Sequence, residues 1–388
     1  MTYLHSYFVS AKKIIEQYNG QIPLSAFLKN YFSTEKKYGS RDRKVIGSLC
    51  YNYFRTGAAL ADKSIGERLL TGLFLFTNSP SEFLQQQAQE WNEKITLPIA
   101  EKAALANVAV SKIFRFHDEL SDEVEPLLLN HSFLTQPDLF IRIRPGKRSI
   151  VEAKLLEANI SFNEKSENCF AFANGTKLEQ TLNINNEAVI QDLNSQRVAE
   201  MFELINLPKN AAVWDCCAAS GGKAIMACDY LPGISLWVSD IRESILYNLQ
   251  KRLSEASIKN YKSFVADMTN SEKLKQQLGN QIFDLIVCDA PCSGSGTWGR
   301  TPEQLVFFKE KEIDNYSKLQ QAIVLNTIPF LKKNGYLLYI TCSVFRKENE
   351  SVVEFILANT NLKPVKQKLL KGYNDRADSM FGALFQLI

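Results

Sequence analysis

Long apolar runs are absent from this sequence, and no hydrophobic stretch approaches the ~18–20 residues that a membrane-spanning helix requires. The first residues, MTYLHSYFVSAKKI, also lack the charged segment, apolar core and small-residue cleavage site of a signal peptide. These absences argue against a membrane partner and against secretion. We therefore expect a cytoplasmic protein.

Histidine is scarce, with only 3 residues in a chain of 388. The 8 cysteines lack the spacing of a disulfide framework and do not form the two Cys-x-x-Cys pairs of a common zinc site. We therefore expect reduced thiols and no metal. A few cysteines should be reactive, whereas Cys216, Cys217, Cys228 and Cys288 are expected to be inert.

A strong overall charge is missing too, since the formal net charge is only +3. Local clusters nevertheless matter for contacts with phosphate. Residues 1–60 hold nine basic side chains against three acids: Lys12, Lys13, Lys29, Lys36, Lys37, Arg41, Arg43, Lys44 and Arg55. A second cluster in FIRIRPGKR comprises Arg142, Arg144, Lys147 and Arg148. We predict that both bind phosphate, although ordinary solvated faces would show the same composition.

The chain is too long for one typical domain, so two or three are expected. In residues 1–132 the apolar side chains recur three and four positions apart, which predicts a helical domain. Residues 133–188 predict a small α+β region. From 189 to 388 near-continuous apolar strands alternate with glycine turns and amphipathic helices. This rhythm predicts an α/β domain with a doubly wound, mostly parallel sheet.

Acidic residues end three successive strands of this last region, and ligands bind beyond the carboxyl ends of such strands. Asp215 precedes the turn CCAASGGK, whose glycines allow close approach of the backbone to a ligand. The turn matches neither a dinucleotide fingerprint nor a phosphate-binding loop. We expect Asp240 to bind ribose hydroxyls and Asp267 to bind an adenine amine. Together these residues predict a nucleoside-cofactor pocket.

Two cysteines also follow strands, Cys292 in FDLIVCDAPCSGSGT and Cys342 in GYLLYITCS. A thiolate that adds to C6 of a pyrimidine makes C5 nucleophilic, and a second group then assists elimination. We expect Asp289 to bind the base at N3 and the exocyclic amine. We also expect amides at the start of the following helix to favour a thiolate at Cys342.

These motifs resemble the RsmB/NOP/NSUN family of RNA 5-methylcytosine methyltransferases, over essentially the whole chain. DCCAASGGKA is similar to the family's cofactor loop, and DAPCSGSGT and TCSVFRKENE are similar to its two cysteine motifs. The resemblance implies a Rossmann-like class I methyltransferase domain, an N-terminal NusB-like helical domain that binds RNA, and an RRM-like insert. Ser220, Asn194, Arg346 and the terminal DSMFGALFQLI depart from the family's usual pattern.

The resemblance also implies roles for individual residues. Cys342 is the expected nucleophile and Cys292 the expected helper in product release, with Asp289 as the third catalytic residue. The expected S-adenosylmethionine contacts are Cys217, Ala218, Ala219, Ser220, Gly221, Gly222, Lys223, Asp240, Asp267 and Asp289. The expected substrate is 16S ribosomal RNA, with transfer RNA second, and the protein is expected to act as a monomer.

Two other functions compete with this interpretation. A DNA cytosine-C5 methyltransferase also uses a Pro-Cys motif, but it makes that cysteine the nucleophile and carries a sizeable target-recognition region after it. Here ordinary α/β sequence separates Cys292 from Cys342. A non-catalytic RNA-binding factor would be expected to have lost the glycine loop, Asp289 or a cysteine, and the sequence retains them all.

Overall fold

Helices fill the N-terminal part of the chain, as the apolar spacing predicts. The computed structural model describes residues 3–388, so residues 1 and 2 of the predicted first domain lie outside the described part. Eight α-helices precede the first strand: α1 (Tyr3–Gln17), α2 (Leu24–Thr34), α3 (Ser40–Arg55), α4 (Ile65–Phe76), α5 (Glu82–Gln87), α6 (Gln89–Glu93), α7 (Ile99–Leu105) and α8 (Pro126–Ser132). No helix within residues 3–388 has the length and apolar character needed to cross a membrane.

The apolar stripes of α1 to α4 meet in one core. Ile14, Leu24 and Ile46 are fully buried there. The fourth helix starts with a reciprocal cap, in which the backbone N–H of Glu67 donates to Ser64 Oγ (3.3 Å) and the N–H of Ser64 donates to the Glu67 carboxylate (2.9 Å). This cap satisfies two backbone donors that the first turn would otherwise leave unpaired.

A small antiparallel sheet with one helix follows the helical region. Its elements are β1 (Leu139–Ile143), α9 (Arg148–Glu157), β2 (Asn163–Ser166), β3 (Cys169–Phe172) and β4 (Ala188–Ile190). The strand order is β2-β3-β1-β4. The helix packs its Val151 and Leu155 against Phe170 and Phe172 of the sheet. The strand, helix and further strands occur in the order that the sequence predicts.

A seven-stranded sheet dominates the remainder of the chain. Its helices and strands are α10 (Leu193–Arg197), α11 (Ala199–Phe202), β5 (Ala212–Asp215), α12 (Gly222–Tyr230), β6 (Ser235–Asp240), α13 (Glu243–Glu255), β7 (Tyr261–Val265), α14 (Ser271–Leu278), β8 (Phe283–Asp289), α15 (Gln304–Phe307), α16 (Lys311–Thr327), β9 (Leu331–Thr341), α17 (Glu350–Asn359), β10 (Leu362–Leu370) and β11 (Met380–Leu387). The strand order is β10-β11-β9-β8-β5-β6-β7.

Strand direction in this sheet confirms the predicted doubly wound α/β fold. The strands β5 to β9 pair in parallel, whereas β11 runs antiparallel between β9 and β10. The chain proceeds from β5 to β6 on one side and later adds β8 on the other side of β5. Such a reversal opens a crevice beyond the carboxyl ends of the central strands. The predicted cofactor and cysteine residues follow those ends.

The compact units do not coincide with consecutive stretches of sequence. One unit comprises residues 1–120, 124–136 and 298–310, and the other comprises 121–123, 137–297 and 311–388. Within the helical unit, Trp298 is buried and the Glu303 carboxylate accepts a hydrogen bond from the N–H of Leu24 (3.0 Å). The three-part division of the chain therefore stays a prediction, and residues 298–310 belong to the helical unit although they lie far from it in sequence.

Several basic side chains that were predicted to bind phosphate instead contact other groups of the protein. Arg142 and Arg144 both contact the Asp229 carboxylate, at 2.6 and 2.7 Å, and the Arg142 and Asp229 side chains are only 3% and 4% exposed. Arg148 pairs with glutamates beside it. Arg55 is buried, and it donates to the carbonyl oxygen of Phe133. The prediction is wrong for Arg142, Arg144 and Arg55, because these side chains are held by partners inside the protein. The sequence did not reveal those partners, since they lie far along the chain.

The paired arginines predict a large loss of stability for Asp229→Ala. This change leaves two guanidinium groups without their shared carboxylate, and breaking a buried ion pair costs about 3–5 kcal/mol. The urea midpoint of unfolding, followed by circular dichroism, should fall clearly. Arg148→Ala removes a more exposed ion pair and serves as the control, with little change expected. An unchanged midpoint for Asp229→Ala would contradict the structural role of this pair.

Candidate active site

A cavity of about 700 Å³ lies beyond the carboxyl ends of β5, β6, β8 and β9. The predicted residues that line it are Cys217, Ala219, Asp240, Asp267, Asp289, Cys292 and Cys342. A smaller cavity of about 280 Å³ is lined by Ala218, Ala219, Ser220, Gly222, Lys223, Asp289 and Cys342, among others. Of the predicted site residues, Gly221 alone lines neither cavity.

The glycine turn between β5 and α12 takes a left-handed backbone at two positions. Ala219 has φ of 44° and Gly221 has φ of 84°. A Cβ atom on Gly221 would lie 3.1 Å from Leu249 Cγ, so the turn also packs closely against α13. Gly221 therefore shapes the turn, and its neighbours face the cavities.

Asp240, at the end of β6, is held by hydrogen bonds from Ala219 and Arg242, including one from Arg242 Nη2 at 3.2 Å. It accepts hydrogen bonds from the N–H groups of Ala219 (3.1 Å) and Arg242 (3.0 Å) and from Arg242 Nε (3.0 Å). Burial alone would raise the pKa of Asp240, but the hydrogen bonds from Arg242 and Ala219 outweigh it and the pKa is lowered. The side chain is thus an ionised acceptor at the cavity wall, as required to bind hydroxyl groups.

Asp267 and Ile241 complete the same wall. Asp267 accepts hydrogen bonds from Thr269 Oγ1 (2.6 Å) and from the Thr269 N–H (2.9 Å), and these bonds lower its pKa. Ile241 lines the cavity although 61% of its surface is exposed. Sequence reasoning missed Ile241, since an isolated apolar residue after a strand carries no distinctive signal.

Asp215, at the end of β5, is buried without a hydrogen-bond partner among the described residues. Its side chain is 1% exposed, and neither carboxylate oxygen has a donor. Burial, followed by repulsion from Asp289, raises its pKa well above the usual range. An unpaired buried carboxyl group is costly, and this one directly precedes Cys216, which lines the larger cavity.

Lys223 and Asp289 form an ion pair at the junction of the two cavities. Lys223 Nζ lies 3.1 Å from Asp289 Oδ2 and donates to Ser195 Oγ at 2.7 Å. Lys223 is mostly buried on the first turn of α12, whereas Asp289 is 30% exposed. The pair therefore leaves part of the Asp289 carboxylate accessible from the cavity. Ser195, in α10, was not among the individually predicted site residues, although the segment QDLNSQRVAEMF that contains it resembles a family motif that borders the cofactor.

Cys292 and Cys342 meet at the same edge of the sheet. Their Sγ atoms are 3.2 Å apart, within hydrogen-bond distance for sulfur. Residue Asp289 of β8 pairs in register with Ile340 of β9, so both strands deliver their cysteines to one place. The hydrogen bond with Cys342, followed by burial, raises the pKa of Cys292 well above its usual range. Either sulfur atom can donate in this contact.

The expected contribution of helix amides to Cys342 is wrong. After Cys342 the chain forms a loop and a short 3₁₀ turn, and α17 begins only at Glu350. Helix-terminal effects fall off within the first turn, so Cys342 gains little from this helix. Its closest described polar partner at Sγ is the thiol of Cys292.

Three further thiols group beneath the cavity. The Sγ atoms of Cys216, Cys217 and Cys288 lie within 4.8 Å of one another, close enough to ligate a single ion. The hydrogen bond with Cys217 raises the pKa of Cys216, whereas hydrogen bonds from Cys216 and Cys217 lower the pKa of Cys288 to about 6. Cys216 and Cys288 are fully buried, and their inert role stays a prediction.

Comparisons with known proteins agree with this geometry. Residues 202–380 match the family described as 16S rRNA methyltransferase RsmB/F. The ribosomal RNA small subunit methyltransferase B of Xylella fastidiosa is 32% identical over 174 residues, which are 45% of this chain and 40% of that protein. The corresponding protein of Proteus mirabilis is 24% identical over 90% of this chain and 91% of its own length.

Solved structures show the same fold. The crystal structure of PH0851 superposes with a TM-score of 0.71 at 17% identity and covers 98% of this chain and 97% of its own. The crystal structure of NSun6 from Pyrococcus horikoshii with SFG has a TM-score of 0.56 at 15% identity, over 65% of this chain and 91% of that one.

Residues 202–380 thus match an RsmB/F methyltransferase domain. The cofactor of such a domain is S-adenosylmethionine. The residues of this chain fit that cofactor, because the larger cavity offers the ionised Asp240 and the apolar Ile241, and the unpaired Asp215 carboxyl group lies buried at the end of β5. The match to the Xylella fastidiosa protein spans only 40% of the length of that protein.

The RsmB/F domain predicts a specific loss of cofactor affinity for Asp240→Ala. Removing the carboxylate deletes hydrogen bonds to the cofactor that involve a charged acceptor, so the Kd for S-adenosylmethionine should rise by about 10- to 100-fold. Isothermal titration calorimetry on the RNA-free protein measures this directly. The matched control is Glu243→Ala, an exposed acid just inside α13. Equal Kd values for the two variants would count against Asp240 as a cofactor ligand.

Proposed function

We propose that this chain transfers a methyl group from S-adenosylmethionine to C5 of a cytosine in RNA. The expected substrate is 16S ribosomal RNA, with transfer RNA as the second candidate. The match of residues 202–380 to the RsmB/F family supports an RNA substrate, and so do the names of the two relatives described above. The protein is expected to work as a cytoplasmic monomer.

The contact between Cys292 and Cys342 carries the proposal. Two thiols that share a hydrogen bond at 3.2 Å, both lining the larger cavity, provide a nucleophile and an adjacent proton donor. The motif around Cys342, TCSVFRKENE, resembles the Thr-Cys motif of the family, so Cys342 is assigned as the nucleophile. A thiol that neighbours the nucleophile can also assist the later release of product, which matches the role expected for Cys292.

The proposed reaction has two parts. Cys342 Sγ forms a bond to C6 of cytosine, and the electron pair of the C5–C6 double bond makes C5 nucleophilic. When C5 has received the methyl group, a base removes the C5 proton. The electrons of that C–H bond then restore the C5–C6 double bond and expel Cys342 as a thiolate. Cys292 assists this elimination.

Asp289 is proposed to bind the reacting base. Its carboxylate can accept a hydrogen bond from the exocyclic amine and from a protonated N3, which favours addition at C6. The ion pair with Lys223 at 3.1 Å fixes one carboxylate oxygen and leaves the other available. Charge-assisted bonds of this kind are stronger and more directional than neutral ones.

The cofactor, when bound, supplies the electrophilic methyl group. Asp240 would hold the ribose hydroxyls, Asp267 the adenine amine, and the turn from Cys217 to Lys223 the methionyl end. The proposal that these residues bind the cofactor is supported by their shared position along the two cavities.

The target cytosine must leave any base stack to react. C6 is inaccessible within a stacked helix, so the base is expected to be flipped or presented unpaired. The exposed lysines and arginines around the start of α3 are proposed to bind the RNA backbone. Lys36, Lys37, Arg41 and Lys44 are all exposed there.

The cysteine assignment predicts a trapped intermediate for Cys292→Ala. Without the helper thiol, release from Cys342 should slow, so a covalent protein–RNA complex should accumulate. The protein is incubated with S-adenosylmethionine and with small-subunit ribosomal RNA or transfer RNA, and a denaturing gel then shows a retarded band. In Cys292→Ala/Cys342→Ala the band should vanish. A band that persists in the double variant would refute Cys342 as the nucleophile.

The basic surface at α3 predicts a change in salt dependence. For the double variant Lys36→Glu/Lys44→Glu, RNA affinity should fall, and the slope of log K against log salt should flatten by about 1–2, because fewer counterions are released. The matched control is Lys251→Glu/Lys259→Glu, which reverses two exposed charges, one near the end of α13 and one in the loop that follows it. Filter binding at salt concentrations from about 50 to about 300 mM measures the slope for each double variant. Equal slopes in the two double variants would show that this surface does not bind the RNA backbone.

A further inference from the structure

A buried glutamate lies behind the two cysteines. Glu348 follows Cys342 in the sequence TCSVFRKENE and is 0% exposed. Its carboxylate accepts hydrogen bonds from the N–H of Ser293 (2.9 Å), from Gln320 Nε2 (2.9 Å) and from Ser343 Oγ (2.7 Å). Three donors on one carboxylate that is closed to solvent make Glu348 the centre of a buried polar cluster.

The donors belong to both cysteine loops. Ser293 directly follows Cys292, and Ser343 directly follows Cys342. Gln320 of α16 also donates to the carbonyl oxygen of Pro291 (3.0 Å), so it holds the first loop on its other side. The Ser293 and Ser343 hydroxyls lie 3.2 Å apart. One carboxylate therefore connects the residues next to both sulfur atoms.

The backbone of Glu348 is fixed as well. Its carbonyl oxygen accepts a hydrogen bond from the hydroxyl of Tyr339 (2.7 Å), a fully buried residue of β9. The next residue, Asn349, donates to the carbonyl oxygen of Ser343 (3.0 Å) and accepts from Thr341 Oγ1 (2.6 Å). The Glu348 carboxylate therefore projects from an anchored segment, which suits a side chain that holds two loops in place.

A buried acid is an expensive way to fill space. Burial raises the pKa of Glu348, and the hydrogen bonds from Ser293, Ser343 and Gln320 oppose that rise. An apolar side chain of similar size would avoid the desolvation cost altogether. What an apolar side chain could not do is accept hydrogen bonds from two separate loops at once.

We propose that Glu348 is a positioning residue that joins the Cys292 and Cys342 loops and keeps the two Sγ atoms in hydrogen-bond contact. The idea rests on the proposed function, because it assumes that both thiols act in one reaction cycle. The carboxylate touches neither cofactor nor substrate in this role. It acts through Ser293 and Ser343.

The sulfur–sulfur contact can be measured without any RNA. Diamide oxidises two nearby thiols to a disulfide: a bond forms between the two Sγ atoms, both S–H bonds break, and the two hydrogens reduce the N=N bond to a hydrazine. Peptide mass spectrometry then gives the rate at which the Cys292–Cys342 disulfide appears. This rate reports how well the loops hold the sulfurs together, independently of methyl transfer.

Three variants separate geometry from charge. Glu348→Ala removes all three hydrogen bonds. Glu348→Gln keeps them, because its oxygen can accept from Ser293 and Gln320 while its amide donates to the Ser343 hydroxyl. The matched control is Glu354→Ala on α17, whose side chain is 63% exposed. Ser343→Ala removes the hydrogen bond to Glu348 in a chain that retains the buried acid, together with the contacts of the same hydroxyl to Ser293, Ser295 and the N–H of Phe345.

The positioning role of Glu348 predicts an order of rates for formation of the Cys292–Cys342 disulfide. Disulfide formation should slow at least about tenfold in Glu348→Ala and severalfold in Ser343→Ala, but stay close to wild type in Glu348→Gln and Glu354→Ala. The kcat for RNA methylation should fall in the same order, whereas the calorimetric Kd for S-adenosylmethionine should not change.

Two results would overturn the proposal. One is wild-type disulfide formation in both Glu348→Ala and Ser343→Ala, and the other is a Glu348→Gln variant as slow as Glu348→Ala. Another outcome is that the disulfide rates follow the predicted order in a protein whose wild type methylates neither ribosomal nor transfer RNA. In that case the positioning role of Glu348 is supported and the proposed function fails. The two ideas are therefore tested separately.

Discussion

The parallel pairing of β8 with β9 is the constraint on which the site depends. Because Asp289 and Ile340 lie opposite each other, the two strands end at the same edge and their cysteines emerge side by side. A sulfur–sulfur contact of 3.2 Å follows from this register. The side-chain period of a strand is two, so a slip of one residue would turn Asp289, the last residue of β8, away from the cavity. Strand register is thus the physical origin of the proposed chemistry.

The carboxylates around this edge differ in their burial and in the donors that stabilise them. The Asp240 and Asp267 carboxylates are stabilised as anions by local donors, whereas Asp215 stays buried without one. Lys223 neutralises part of Asp289 where the two cavities meet. Behind the cysteines lies a polar cluster that is closed to solvent. A rigid buried cluster behind a solvent-accessible pair of thiols suits a site in which two sulfur atoms must act in sequence on one base.

Local sequence was sufficient for the large sheet and for most of the cavity lining. The apolar runs before Asp240, Asp289 and Cys342 predict strands whose ends carry polar groups, and such ends meet in a doubly wound sheet. It was insufficient wherever a partner lies far along the chain. Arg142 looked like a phosphate ligand because nothing near it in sequence reveals Asp229, and residues 298–310 looked like part of the methyltransferase region although they pack in the helical unit. A buried partner is a property of the folded chain alone.

The most direct test of the account uses RNA that carries 5-fluorocytidine at the target position. Addition of the thiolate to C6 and methyl transfer can proceed, but the fluorine at C5 cannot be removed as a proton would be, so the adduct should persist. Digestion and mass spectrometry then identify the linked peptide. The account predicts a cross-link at Cys342, in the peptide that continues into SVFR. A cross-link at Cys292 would contradict it, because the roles of the two cysteines would then be reversed.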